Sequence, residues 1–453
     1  MIRTAPAPTS HWIDHWDPED ESFWQRTGAS IANRNLWYSV LSEHIGFSVW
    51  TLWSVLVLFM GPAYGLDAAA KFVLVAVPTL VGGLLRLPYS FAVAKFGGRN
   101  WTLVSTLLLL LPAVLAALVI HPGTPFWVFL LAGAVAGVGG GNFASSMTNI
   151  NTFFPERRKG WALGLNAGGG NIGVPAVQLL GLLVIATVGT GAPWLLPVIY
   201  LPLIGVAAYL AARGMNNISS VKGDTGAMRE AVREPQTWVM SLLYIGTFGS
   251  FIGYSFAFGL VLQNQFGRTP LQAAALTFIG PLLGSLIRPI GGRLADKLGG
   301  AIVTLVNFVA MAVATGVVIF ASWINSLPLF VTGFVALFVL SGLGNGSTYK
   351  MIPAIFRGQA RVAIADGADE QCELLRARRV SGAVIGIAGA VGALGGLLIN
   401  LAFRQSFLAT KSGDLAYWSF LAFYVVCVIV TWAVDLRPAP AEVSHPRVAY
   451  AGV

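Results

Sequence analysis

Charge is scarce in this chain. Only 10% of its 453 residues are Asp, Glu, Lys or Arg while 56% are hydrophobic, against roughly 25% charged residues in a soluble globular protein. That balance excludes an ordinary water-soluble domain and marks a membrane protein. Cysteine is nearly absent as well. Cys372 and Cys427 stand in no CxxC pair and beside no histidine cluster, which removes disulfide frameworks, zinc sites and redox dithiols. The five histidines, His11, His15, His44, His121 and His445, form no HExxH, and neither CxxCH nor a Walker-type phosphate loop occurs. The expectation is therefore no enzyme, no cofactor and no metal. A signal peptide is not expected either, because the first apolar run begins near Leu36 behind the polar lead HWIDHWDPEDESFW. That lead reads as a cytoplasmic surface strap with tryptophans at headgroup level, or equally as a solvated tail.

What is present is apolar length. A hydrocarbon core of ~30 Å needs about twenty apolar residues per helix, and such runs lie near 36–60, 70–94, 101–120, 126–150, 161–187 and 191–212, then near 237–262, 271–295, 301–321, 328–351, 380–403 and 416–436. The polar interval RGMNNISSVKGDTGAMREAVREP separates the two sets. The reading is an all-α membrane fold of twelve helices. It divides into a lead (1–35), a first six-helix bundle (36–212), a linker (213–236), a second bundle (237–436) and a tail (437–453).

The net charge of +9 does not point to nucleic acid, because the basic residues sit between apolar runs. KFGGR, PERRKG, the central interval, RLADK and the loop with Arg357, Arg361, Arg376, Arg378 and Arg379 fall on one side, and the opposite loops carry only Arg268, Arg404 and Lys411. Lys/Arg asymmetry of this kind places both termini in the cytoplasm. RGQARVAIADGADEQCELLRARR is expected as a surface loop with a short helix.

The halves repeat each other. Arg86-Leu87-Pro88 precedes AVAKFGGRN and Arg288-Pro289 precedes IGGRLADKLGG, while GVGGGNFASSM in the fourth run is echoed by GLGNGSTYKM in the tenth. Parallel six-helix repeats suit a transporter that moves one half against the other around a central site. An arginine deep in a membrane helix costs at least ~2.5 kcal/mol and usually faces a protein interior or wet cavity. No aspartate or glutamate is expected in the helix interiors near Arg86 or Arg288. Two such cations at matching positions therefore read as an anion clamp, because the guanidinium fork suits flat or multi-oxygen anions. A carbonyl-bonded structural arginine is the alternative for one of them.

Small residues in GVGGGNFASSM, LGLNAGGGNIGVP and GIAGAVGALGG allow close helix packing. Asn142, Asn149, Asn166 and Asn171 accompany the glycines and either satisfy one another or line a polar cavity. Phe47, Phe143, Tyr244 and Phe248 either wall such a cavity or belong to ordinary core.

These residues resemble a known family. GNFASSMTNINTFFPERRKGWALGLNAGGGNIG and SGLGNGSTYKMIPAIF resemble the paired nitrate signatures of the nitrate/nitrite porters within the major facilitator superfamily, and WDPEDESFWQRTG, LRLPYSFAVAKFGGRNWT, SLLYIGTFGSFIG and GPLLGSLIRPIGGRLADKLGG extend the likeness over nearly the whole chain. The resemblance implies a twelve-helix carrier of the bacterial inner membrane that moves nitrate and nitrite. It further implies that Arg86 and Arg288 bind the anion, Tyr244 supplies a hydroxyl, Phe143, Phe47 and Phe248 enclose the site, and Asn171 and Asn166 add polar contacts. The signature residues Gly139, Gly140, Gly141, Asn142, Gly168, Gly169, Gly170, Gly342, Gly344 and Gly346 would permit the rocking motion. Lys350 in the same motif reads as a side chain snorkelling to the interface.

Nitrate/nitrite exchange is the expected mechanism, because two arginines without a membrane carboxylate make an empty site that resists switching. Nitrate/proton symport is the alternative, and an anion channel is a third reading from another class. Expected partners are nitrate, nitrite, the bilayer and, for symport, protons. No nucleic acid and no obligate protein partner are expected.

Overall fold

The computed structural model describes residues 11–221 and 225–437. Twelve helices in it are long and apolar enough to cross a membrane: α1 (Glu21–Phe59), α2 (Ala68–Phe96), α3 (Gly98–Val119), α4 (Phe126–Phe153), α5 (Glu156–Val188), α6 (Leu195–Gly214), α7 (Pro235–Phe266), α8 (Pro270–Leu298), α9 (Gly300–Trp323), α10 (Leu327–Ala365), α11 (Glu370–Thr410) and α12 (Asp414–Leu436). Each overlaps one of the apolar runs, with α1 and α3 stopping one residue short of theirs and α6 beginning four residues into its own. Successive helices run in opposite directions, so α1 starts and α12 ends on the same side, here called the near face; the other is the far face.

Several helices outrun their apolar stretches. The first begins fifteen residues before Leu36, at Glu21, with the Asp20 side chain capping it by accepting from the Ser22 and Phe23 amides. Past the apolar part of the tenth run, the polar segment expected as a loop is instead the end of α10 and the start of α11. Only the turn 366–369 breaks it, with Gly367 at φ 99° and Asp369 capping α11 by accepting from the Cys372 amide at 2.7 Å. Alanine, arginine, glutamate and glutamine are strong helix formers, so the helix continues into water after hydrophobicity ends.

The lead is tied down from His11 onward. Trp12–Ile13 (β1) pairs in parallel with Asn217–Ile218 (β2) of the linker, and Arg34 and Asn35 both donate to the Asn216 side chain, at 2.9 and 3.2 Å. Trp16 packs edge-on to Phe153 and Trp24 against Phe154. The linker then forms a short helix, Thr225–Arg233, whose Glu230 accepts from Arg376 at the root of α11. The tail, apart from Arg437, lies outside the described residues.

The repeat is visible in backbone angles. Gly97 joins α2 to α3 at φ 88°, ψ 146°, and Gly299 joins α8 to α9 at φ 88°, ψ 132°. A side chain rarely adopts that conformation, so glycine at both turns is a steric requirement.

Burial sorts the helices into layers. In the most apolar window of α7, 94% of residues are buried, and in α1 83%, whereas α12 has 28%. Leu118, Val313 and Trp323 on α3 and α9 point outward, as lipid-facing side chains must. The two halves meet tightly toward the far face. There Phe72 stacks on Phe403 with centroids 5.4 Å apart, Gln263 donates to the Leu58 carbonyl at 3.2 Å, and Gln178 donates to the Ser255 carbonyl at 3.0 Å. Toward the near face the interface loosens. A Cβ built on Gly164 or Gly168 of α5, or on Gly382 or Gly386 of α11, would meet no neighbour within 4 Å.

Candidate functional site

Arg86 and Arg288 come from the second helix of each half, and both are buried, with 0% and 4% of their surface exposed. Desolvating two cations is costly unless their donors find acceptors. Arg86 uses one donor across the bundle interface: Nη1 donates to the Gly389 carbonyl of α11 at 2.8 Å. Its Nε and Nη2 have no partner. Arg288 donates from Nη2 to the Tyr244 hydroxyl at 3.2 Å, and its Nη1 has none. Among the described residues neither arginine forms an ion pair. The carbonyl-bonded alternative thus accounts for one donor of Arg86 and leaves the rest of the fork free.

Aromatic rings surround both cations. The Arg86 guanidinium carbon lies 4.5 Å from the Phe143 centroid, 4.6 Å from Phe248 and 5.6 Å from Trp50. That of Arg288 lies 5.9 Å from the same Phe143 ring and 5.8 Å from Tyr349. Ring faces attract guanidinium groups by roughly 0.5–2 kcal/mol each, more where water is excluded. Phe248 stacks on Tyr244 at 5.3 Å and 8°, and Phe47 meets Phe143 edge-on at 6.0 Å. A π turn at Ile245–Gly249, directly after Tyr244, carries Phe248. Such widened turns are frequent at functional sites because they re-aim side chains in an otherwise regular helix.

Of the residues named from sequence, Arg86, Arg288, Tyr244, Phe143, Phe248 and Phe47 thus share one contact network. Trp50, Tyr349 and Gly389 join it without having been singled out. Trp50 is fixed by its indole N–H, which donates to the Pro78 carbonyl at 2.7 Å; nothing in the sequence distinguishes it from core. Asn171 is buried with both amide atoms unpartnered. Asn149 lies elsewhere, against Gly98 at the α2–α3 turn.

The expectation of no nearby carboxylate is wrong. Glu43 of α1 is fully buried and lies within electrostatic reach of both Arg86 and Arg288. Its Oε2 accepts from the Ser146 hydroxyl and from the Asn166 amide, the latter at 2.7 Å, while Oε1 has no hydrogen-bond partner. Asn166 therefore contacts this carboxylate, and also donates to the Ser146 hydroxyl. His44, next in the chain, turns its Nδ1 to the Gly169 carbonyl at 3.3 Å.

The signature glycines are sites of close approach. A Cβ on Gly139 would lie 2.3 Å from the Gly46 carbonyl oxygen, and one on Gly140 would lie 2.7 Å from the Gly82 Cα, so α4 presses against α1 and α2. Gly342 and Gly346 bring α10 equally close to α8 around Arg288. Gly141 accommodates the Tyr89 ring, Gly344 the Thr247 and Asn307 side chains, Gly169 the Val40 side chain and Gly170 the Glu43 carboxylate, whereas Gly168 meets nothing. Asn142 is buried beside Gly46. Lys350 sits fifteen residues before the end of α10 and pairs with Asp296 of α8 at 2.9 Å, a partly exposed contact.

Two paired helices therefore deliver two desolvated, incompletely bonded cations to an aromatic box at the interface of two similar halves. Residues 45–399 match the profile of the Major Facilitator Superfamily. The chain is 40% identical to the nitrate/nitrite transporter NarU of Salmonella typhimurium strain LT2, covering 98% of this chain and 100% of that protein. It is 33% identical to the probable nitrate/nitrite antiporter NarK2 of Thermus thermophilus, covering 95% and 97%. Among solved structures it is similar to the D-xylose-proton symporter, with a TM-score of 0.63 at 16% identity over 89% of this chain and 97% of that one, a likeness of fold. By sequence match over nearly its full length and by the architecture of its two halves, the chain belongs to the nitrate/nitrite porter family of the major facilitator superfamily, a family of multi-pass membrane transporters and not of enzymes.

Proposed function

We propose that this protein carries nitrate and nitrite across the bacterial inner membrane by alternating access, exchanging one for the other, with both termini in the cytoplasm. The observation that carries the reading is that Arg86 and Arg288, from equivalent helices of the two halves, lie over one and the same ring, Phe143, with donors left over. A flat monovalent anion between two guanidinium forks suits that arrangement: its oxygens accept in the plane while Phe143 and Phe248 cover its face. Phe47 closes the box behind Phe143, and Asn171 contributes a further amide. The halves 36–212 and 237–436 rock about this site. Far-face packing with a loosened near face then corresponds to a carrier open toward the cytoplasm.

Exchange follows from charge. The Glu43 carboxylate is bonded to Ser146 and Asn166 and to neither arginine, so the free donors of the clamp are satisfied only when an anion enters it, and closure is favoured with either anion bound. Purified protein in liposomes tests this. Internal nitrite should accelerate external nitrate uptake, with saturation at carrier turnover. Uptake indifferent to internal nitrite would overturn exchange, and non-saturating flux would favour a channel.

The Tyr244 hydroxyl supports one arm of the clamp by accepting from Arg288. Tyr244→Phe keeps the ring stacked on Phe248 and removes one hydrogen bond from a charged donor, a loss of about 1.5–3 kcal/mol. The expected result is a rise of roughly tenfold to 100-fold in KM for nitrate with kcat little changed, read from initial uptake rates.

A further inference from the structure

A carboxylate held fully inside the bundle, one oxygen bonded and the other not, is an expensive feature for a membrane protein to keep, and intramembrane acids of this kind usually serve a transport cycle. Glu43 bonds to neither arginine. It stands on α1 with neutral partners Ser146 from α4 and Asn166 from α5. The titratable and charged groups within its reach are Arg86 on α2, Arg288 on α8 and Tyr349 on α10; His44 is engaged with the Gly169 carbonyl. Its unpartnered Oε1 lies where a Cβ on Gly170 would stand, 2.2 Å away. Gly170 therefore makes the room this carboxyl group occupies.

The charges of the site give the carboxylate a role. Two guanidinium groups and one carboxylate leave a single positive charge. An anion alone cancels it, whereas an anion together with a proton on Glu43 restores it. Two buried negative charges near one another repel, and a carboxylate relieves that repulsion by taking a proton. The carrier loaded with anion and proton then has the same charge as the empty carrier, so both forms can cross the same conformational barrier.

We propose that Glu43 takes up a proton as the anion binds between Arg86 and Arg288, giving the carrier a proton-coupled cycle beside nitrate/nitrite exchange. The step is a proton transfer without redox change. An O–H bond forms at the Glu43 carboxyl with a proton from water on the side the site faces, and it breaks to water on the other side when the anion leaves. The inference rests on the proposed nitrate/nitrite function and adds the residue that links it to pH.

The test uses the full chain in liposomes under two driving forces: internal nitrite without a pH gradient, and an inward proton gradient without any internal anion. Wild type should take up nitrate under both. Glu43→Gln should keep the nitrite-driven exchange and lose gradient-driven uptake by at least about tenfold, since the acid proposed to carry the proton is gone. Gradient-driven uptake that survives in Glu43→Gln would overturn the proposal, as would a wild type that exchanges the anions but ignores the gradient. No uptake by wild type under either force would instead defeat the functional reading beneath it. If Glu43→Gln loses both modes, Glu43→Asp decides: the shorter acid should restore gradient-driven uptake if position 43 carries the proton, and failure to restore it counts against the idea. Addition of nitrate to purified wild type in weak buffer should also raise the pH, and an unchanged pH would overturn the linkage without recourse to any variant.

Discussion

Alanine in place of Arg86 or Arg288 abolishes saturable nitrate uptake, and lysine at either position recovers little of it. Between them Arg86 Nε and Nη2 and Arg288 Nη1 are buried donors without partners, three nitrogens available to an anion with up to three oxygens. A hydrogen bond to a charged group contributes about 1.5–3 kcal/mol. Losing the two such bonds that Arg86 can offer removes about 3–6 kcal/mol, roughly two to four powers of ten in uptake, and Arg288→Ala removes one such bond together with the one to Tyr244. Lysine keeps the charge but offers a single ammonium in place of a planar fork. At position 86 the requirement is stricter, because one guanidinium must hold the Gly389 carbonyl at 2.8 Å and face the box at the same time. Initial nitrate uptake at matched protein incorporation is the measurement. Near-normal KM and kcat in Arg288→Lys would refute the bidentate clamp.

The two arginines were legible in the sequence because a lone cation stands out in an apolar run, and the repeated context around each showed that they belonged together. The twelve spans were legible for the same reason: hydrophobic length is a property of the chain alone. Glu43 was hidden by a boundary. Counting apolar residues starts the first helix at Leu36, which puts Glu43 two turns from the membrane surface, where an acid needs no explanation. In the structure α1 begins at Glu21, its early turns built on polar residues that hydropathy does not register, and Glu43 falls in the helix middle. Trp50 and Tyr349 were hidden differently. An aromatic in a membrane helix looks alike whether it packs on leucine or on a guanidinium group, and only the arrangement of neighbouring helices separates the cases. The same holds for the glycines, whose pattern announces close packing without saying against what.

That packing has a measurable consequence at Gly346. A Cβ there would lie 2.3 Å from the Arg288 carbonyl oxygen and 2.6 Å from the Gly292 amide nitrogen. Both obstacles are backbone, so no rotamer change relieves the clash, and α8 must move away from α10. Overpacking of this kind costs about 1–3 kcal/mol, which the fold survives, but the displaced element is the one that carries Arg288. A misplacement on the order of 1 Å in a positioned group lowers activity by roughly 100-fold, and Gly346→Ala is expected to do so while still reaching the membrane. Gly168, equally part of a signature, provides the contrast, since a methyl group there meets nothing within 4 Å. In the packing seen here Gly168→Ala is harmless, and any loss of uptake from it would report a contact made when the near face closes. Uptake and thermal stability measured side by side separate these cases. Gly346→Ala with wild-type uptake would mean that α8 tolerates displacement and that Arg288 does not depend on this helix contact.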